Sequence, residues 1–343
     1  MKKFIVIAVF ALMAVVLISG CTQEKTPVNT DNGLVVLDFY ADPAQVEENE
    51  FVNFILNVQN VGGVDATNVV AELGGVQNQW RYINSPGLVQ GPLEVWGGPG
   101  VTGPTLEAPN EMYNQPGETR QQVWMLKTPE VGEGITLPAT VTAYVTFDYV
   151  TTGSMTLKAV SKDYYRVLQG KGEEVTNPFI IVNSNGPLKI NAEQIAAPWI
   201  VDPVKFQAGM PETSSFLVKF VNVGDGFPYT TSASGRQLGS LTGFLRIYGP
   251  ASFDDCLGVK AAPGQAVTEI IINPWDMDMD WVKLSKSRGE YPVGCTIKIV
   301  PGQWPVTQDE AQIRIDFTLD YRYYVKQDTQ VTVRGLSRTE APR

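Results

Sequence analysis

The stretch from Phe51 to Leu73, FVNFILNVQNVGGVDATNVVAEL, returns in altered form about 160 residues later as FLVKFVNVGDG and GFLRIYG, between Phe216 and Gly249. Phe51, Phe54, Leu56 and Val58 give the interrupted apolar pattern of a strand with one buried face. Asn60 to Asn68 supplies turn residues, and Val69 to Leu73 resumes the run. Further anchors follow in the same order in both copies. Asn32-Gly33 faces Asn185-Gly186, Asp42-Pro43 faces Asp202-Pro203, and Asn60-Val61-Gly62 faces Asn222-Val223-Gly224. Leu73-Gly74 faces Tyr248-Gly249, and Pro116-Gly117-Glu118 faces Pro263-Gly264-Gln265. TVTAYVTFDY, ending at Tyr149, faces QIRIDFTLDY, ending at Tyr321. One dipeptide means little, but matches in a common register imply a tandem duplication.

Each copy holds short runs rich in Val, Ile, Thr, Phe and Tyr, parted by Gly, Pro, Asn and Asp, with no long stretch at helical period. That pattern predicts an all-β chain of two tandem antiparallel β-sandwich domains. At 343 residues, 43% of them apolar, the chain can bury two ordinary cores. Thr140 to Tyr149 alternates Val141, Ala143, Val145 and Phe147 against Thr142, Tyr144, Thr146 and Asp148, as a half-buried strand does. The expected division is domain 1 over 33–168, a linker over 169–185, domain 2 over 186–337 and a tail over 338–343.

NVQNVGGVDATNVVAEL, the PGE turn and the TFDY strand together resemble the CARDB and NEW3-like group of immunoglobulin-like modules of bacterial and archaeal surface proteins. The resemblance implies an immunoglobulin-like fold. Members of that group act as stalks, spacers and adhesive or carbohydrate-associated modules, so it leaves the activity open.

Lys2 and Lys3 precede an apolar run from Phe4 to Ile18, the shape of a secretory signal. The run ends in Leu17-Ile18-Ser19-Gly20-Cys21, which resembles the lipobox of prokaryotic lipoproteins. That resemblance implies a signal peptide over 1–20 and a lipid on the Cys21 sulfur. It also implies an extracytoplasmic body anchored at the cell surface. The alternative is an uncleaved transmembrane helix, for which the run is short. Thr22 to Asn32 lacks apolar periodicity and reads as a tether, so the anchored segment spans 21–32. Without Lys2 and Lys3, 24 Lys and Arg stand against 36 Asp and Glu, a net charge of −12. Such a body repels phosphate backbones, which argues against a nucleic-acid partner.

In that compartment Cys256 and Cys295 are expected to form a disulfide. The rival is a two-cysteine metal site, but the chain has no histidine and zinc would need two carboxylates to complete its ligands.

Two long inserts depart from the repeat. Gly75 to Gln115 interrupts the first copy, and Asn273 to Asp309 the second. Loops of this length in a compact domain are commonly functional or disordered. The second carries the candidate binding residues Trp275, Asp276, Asp278, Asp280 and Trp281. Its alternating aspartates begin like a calcium loop, but Trp281 stands where glycine is needed and Ser287 where a bidentate glutamate is needed. No cofactor is expected, Ca2+ being the one alternative. Trp80, Tyr82 and Trp96 of the first insert are a secondary set that could stack on sugars or cap the sandwich.

Without histidine the common general base and the Ser-His-Asp and Cys-His arrangements are missing, so no enzymatic activity is expected. The reading that results is a lipid-anchored binding or adhesion module for protein or carbohydrate at the cell surface. The alternative is a structural spacer or assembly subunit. Strand parity in a seven-strand sandwich puts the start of the first strand and the first insert at opposite poles of copy 1. An end-to-end arrangement then predicts that the first insert buttresses the joint and the second insert forms the membrane-distal tip.

Overall fold

The structure is a computed structural model. It describes residues 30–336 apart from 83–86, 91–92, 97–101, 174–179, 195–198, 203, 206–209, 211, 233–234, 240, 273–288, 301 and 306. The first half of the chain forms β1 (Leu34–Asp42), β2 (Gln45–Glu47), β3 (Phe51–Asn60), β4 (Thr67–Gly74), β5 (Arg81–Tyr82) and β6 (Leu93–Val95). It continues with β7 (Thr119–Lys127), β8 (Thr136–Ser161) and the helix α1 (Lys162–Gly170). The second half opens with β9 (Ile180–Asn183), β10 (Leu188–Gln194), β11 (Trp199–Val201), β12 (Thr213–Asn222), β13 (Phe227–Ser232) and β14 (Gly235–Leu238). It closes with β15 (Thr242–Tyr248), β16 (Ala251–Cys256), β17 (Val259–Lys260), β18 (Glu269–Ile272), β19 (Glu290–Ile299) and β20 (Glu310–Arg334).

These strands build an all-β sandwich. A four-stranded sheet, β1-β3-β7-β5, covers the first half and a five-stranded sheet, β10-β12-β19-β16-β17, the second. Both lie on a third, eleven-stranded sheet whose path is β14-β13-β20-β8-β4-β6. The repeat appears as equivalent strands. β3 turns Val52, Phe54, Leu56, Val58 and Asn60 inward, and β12 turns Ser214, Phe216, Val218, Phe220 and Asn222 inward. Phe51, expected on the buried face, is 53% exposed because the inward register begins at Val52.

The matched segments of the repeat end at Tyr149 and Tyr321, yet both residues lie in mid-strand. β8 and β20 pair antiparallel from Thr136↔Arg334 to Val160↔Glu310, and Tyr149 faces Tyr321 at the centre of that ribbon. On one side of this point β4 joins β8 and β2 joins β20, completing the first half. On the other side β15 joins β20 while β9 and β11 join β8, completing the second. Residues 150–161 therefore serve the second half and 325–334 the first, while 322–324 pair with β13 of the second half. Met155, Leu157 and Ala159 are buried in one direction and Val325, Val331 and Val333 in the other, within one continuous core. The division at 168 drawn from the sequence does not follow this exchange. The expected linker likewise contributes β9, whose Asn183 amide pairs with both the N–H and the C=O of Ile190 on β10. α1 continues from β8, with the Ser161 hydroxyl accepting the Tyr164 N–H at its start.

The second insert also needs correction. β19 lies inside the segment assigned to it, yet pairs with β12 and β16 at the centre of its sheet. Backbone bonding identifies the equivalent turns: the Asn60 N–H donates to Glu118 and the Asn222 N–H to Gly289. Gly289, not Pro263-Gly264-Gln265, is thus the counterpart of the first PGE turn. Pro263-Gly264-Gln265 instead leads to β18, which pairs with β15 in the shared sheet. Cys256 and Cys295 form a disulfide, and they occupy facing positions of β16 and β19 with Cα atoms 4.3 Å apart.

Candidate functional site

The two NVG turns meet at the ribbon's centre. Gly33 accepts the N–H groups of Val61 and Gly62, and Pro187 accepts those of Val223 and Gly224, so the matching position is Pro187 rather than Gly186. Asn60 and Asn222, both wholly buried, lock the turns from inside. The Asn60 amide donates to Val64 and Leu106 while its oxygen accepts the Gly62 N–H. The Asn222 amide donates to Gly226, and its oxygen accepts from Gly224 N–H and the Tyr323 hydroxyl. The turns need glycine because a Cβ at Gly62 would lie 2.0 Å from the Tyr149 hydroxyl, and one at Gly224 2.6 Å from that of Tyr323.

Phe147, Tyr149, Tyr321 and Tyr323 fill the space between the turns as a buried aromatic cluster. Burial pushes the Tyr149 phenol up to about 12, against the lowering pull of the Val64 and Gly63 N–H groups. Burial raises Tyr321 and Tyr323 as well. These hydroxyls act as neutral partners: Tyr149 donates to Asn185 and Tyr321 bonds Thr151. Beside them an open cleft of about 470 Å³ is lined by Asp65, Asp148 and Asp320. Arg322 and Asn68 hold Asp148, while burial and then the Asp148 charge raise the Asp320 carboxyl. Among the described residues no group of three or more acidic, Cys or His side chains is arranged to hold a metal ion.

Trp80, a secondary binding candidate from the sequence, is a core residue. It is fully buried, with its ring edge-on to Phe54 at 5.4 Å, because a large apolar ring on the insert's return path covers the end of β3. Tyr82 is 37% exposed at the tip of β5. Trp96 is half-buried beneath the Arg120 guanidinium, 5.9 Å from its ring centre. The described contacts of this insert lie with its own half: Leu106 pairs with Ala66, and the Gly103 N–H donates to Asn68. The expected buttress between halves is therefore built by the NVG turns. Trp275, Asp276, Asp278, Asp280 and Trp281 lie outside the described residues, as does Cys21.

A cleft that the sequence reading did not single out opens on the outer face of the second half's share of the large sheet. β15 turns Leu245 and Ile247 inward and Phe244, Arg246 and Tyr248 outward. The pairing sets Phe244 opposite Thr318, Arg246 opposite Asp316 and Tyr248 opposite Arg314 on β20. Thr152 and Ser154 of β8 and Val182 of β9 extend these rows. Together they line an open cleft of about 580 Å³.

The cleft's two cations are neutralised in place. Arg246 donates through Nε to Glu269 at 2.7 Å, and Arg314 grips Asp316 through Nε at 2.6 Å and Nη2 at 2.8 Å. These carboxylate bonds raise both guanidinium groups above their usual range. Arg246 also lies 5.2 Å from the Phe244 ring centre, and Tyr248 is 45% exposed. The result is an aromatic surface beside fixed planar donors and a row of hydroxyls. Its outward alternation was visible in GFLRIYG and QIRIDF, but the register that joins them was not.

No family model matches the chain, and no curated protein does. Among solved structures, red sea bream transglutaminase is similar to it at 14% identity and a TM-score of 0.18, covering 89% of this chain and 31% of that one. That protein is an enzyme, and the expectation that this chain has no enzymatic activity is withdrawn accordingly. A likeness at this TM-score carries no argument for a transglutaminase reaction here.

Proposed function

We propose that this chain is a lipid-anchored, extracytoplasmic binding module that holds a carbohydrate at the cell surface in the cleft of Phe244, Arg246, Tyr248 and Arg314. The observation that carries the reading is the exposed Tyr248 and half-buried Phe244 set beside arginines whose charges Glu269 and Asp316 already cancel. An anion would have to displace those carboxylates. A neutral polyhydroxylated ring can stack on the aromatics and use the remaining donors and hydroxyls without breaking either pair. The surface address rests on the signal-like run and on Cys21 as the lipidated residue; no described helix is long and apolar enough to cross a membrane.

The chain from Thr22 onward is expected to bind neutral glycans on an array. Phe244→Ala with Tyr248→Ala should weaken binding about tenfold or more while the melting curve holds, since truncating central aromatic anchors typically costs over 1 kcal/mol each. Unchanged binding in the double variant, or capture of protein ligands alone, refutes the carbohydrate assignment. The alternative, an assembly subunit, draws on a different surface. Tyr40, Ile55 and Val123 form one row across the outer face of the four-stranded sheet, with Met125 beside it, and Tyr40, Val123 and Met125 are among the exposed apolar residues.

A further inference from the structure

We infer that the membrane tether grips this molecule at its waist, so that both halves lie along the bilayer instead of standing end to end above it. The inference rests on the reading of Cys21 as lipidated, and its geometric part comes from the described residues just after the tether. Asp31 pairs with Lys189 at 2.7 Å, and Asn32 donates to Asp225 at 3.1 Å, both across the joint. Gly33 then lies against Pro187 and Tyr149, close enough that an added Cβ would approach them to 3.2 and 3.4 Å. The chain therefore enters the fold at the level where Tyr149 faces Tyr321, the centre of the long ribbon. Strand parity within an isolated sandwich had placed this entry at a pole. The exchange of β8 and β20 turns that pole into the middle of the molecule.

Lengths decide what the tether permits. From Tyr149, β8 runs to Thr136 in one direction and Ser161 in the other, about 40 Å each way at roughly 3.3 Å per residue. Cys21 and Thr30 are nine positions apart, which spans at most about 32 Å when fully extended. A molecule standing on either end would need its waist about 40 Å above the headgroups, beyond that reach. Lying on its side, it needs only the half-thickness of a sandwich, since packed sheets are about 10 Å apart. Both halves then sit at similar heights, and the ligand cleft of the second is no farther from the membrane than the first.

Neutron reflectometry on the full lipoprotein in a supported phosphatidylcholine bilayer tests this. The expected protein layer is about half as thick as the roughly 80 Å ribbon, and it should thicken when a long Gly-Ser segment is inserted between Lys25 and Thr26. A layer of about 80 Å or more with the native tether overturns the waist-held orientation. Protein that washes away, as the Cys21→Ser control should, instead refutes the lipid anchor, and the orientation falls with it.

Discussion

A chain ended after Tyr321 is expected to lose its first half, although every residue of that half up to Tyr149 remains. The deletion removes the β20 segment that pairs with residues 136–148 and with β2. It strips the first half's core of Val325, Val331 and Val333, none of them more than 9% exposed. At roughly 1.5–3 kcal/mol per buried large side chain, these three account for about 5–9 kcal/mol. Typical domain stability is only about 5–15 kcal/mol, so the loss is comparable to the whole. Limited proteolysis should cut freely within residues 34–148 of the shortened chain. A protease-resistant first half would show that it folds without the exchanged strand.

Asn222→Ala should cost roughly 3–5 kcal/mol, because it deprives several buried groups of partners at once and each orphaned group costs about 1–3 kcal/mol. The Gly226 carbonyl, the Gly224 N–H and the Tyr323 hydroxyl all lose their side-chain contact. Tyr323 keeps the bond it accepts from the Gly226 N–H and the Gly224 N–H keeps its bond to Pro187, which limits the loss. A drop in denaturation midpoint with an unchanged slope checks this. Asn222→Asp keeps the acceptor but not the amide donor, and should fall between wild type and alanine. An alanine variant as stable as wild type would mean that the turn is held by its backbone bonds to Pro187 alone.

The duplication and the strand content were legible because alternation has a period of two and turns have a small residue vocabulary. Of the residues read as the buried face of the first strand, Phe54, Leu56 and Val58 are inward, whereas Phe51 is exposed and Val52 takes its place. What alternation cannot say is which strand lies beside which. Past Tyr149 the pattern continues through Thr151, Met155, Leu157 and Ala159, so the extension could be read, but its partner 160 residues away could not. The same limit hid the cleft. Phe244, Arg246 and Tyr248 stood in plain alternation, and only the register against Arg314 and Asp316 makes them one surface. β19 was missed for a different reason: no proline precedes Gly289, so its turn did not resemble the first PGE. Trp80 misled because an aromatic in a long insert looks available until the insert's path back over Phe54 is known.

β8 and β20 weld the two halves into one body. Native-state amide exchange along β8 tests this most directly. Residues 141–148 and 151–159 are expected to exchange with a single opening free energy, equal to that of global unfolding. A step at Tyr149, with one side opening independently of the other, would contradict it and restore two separable domains.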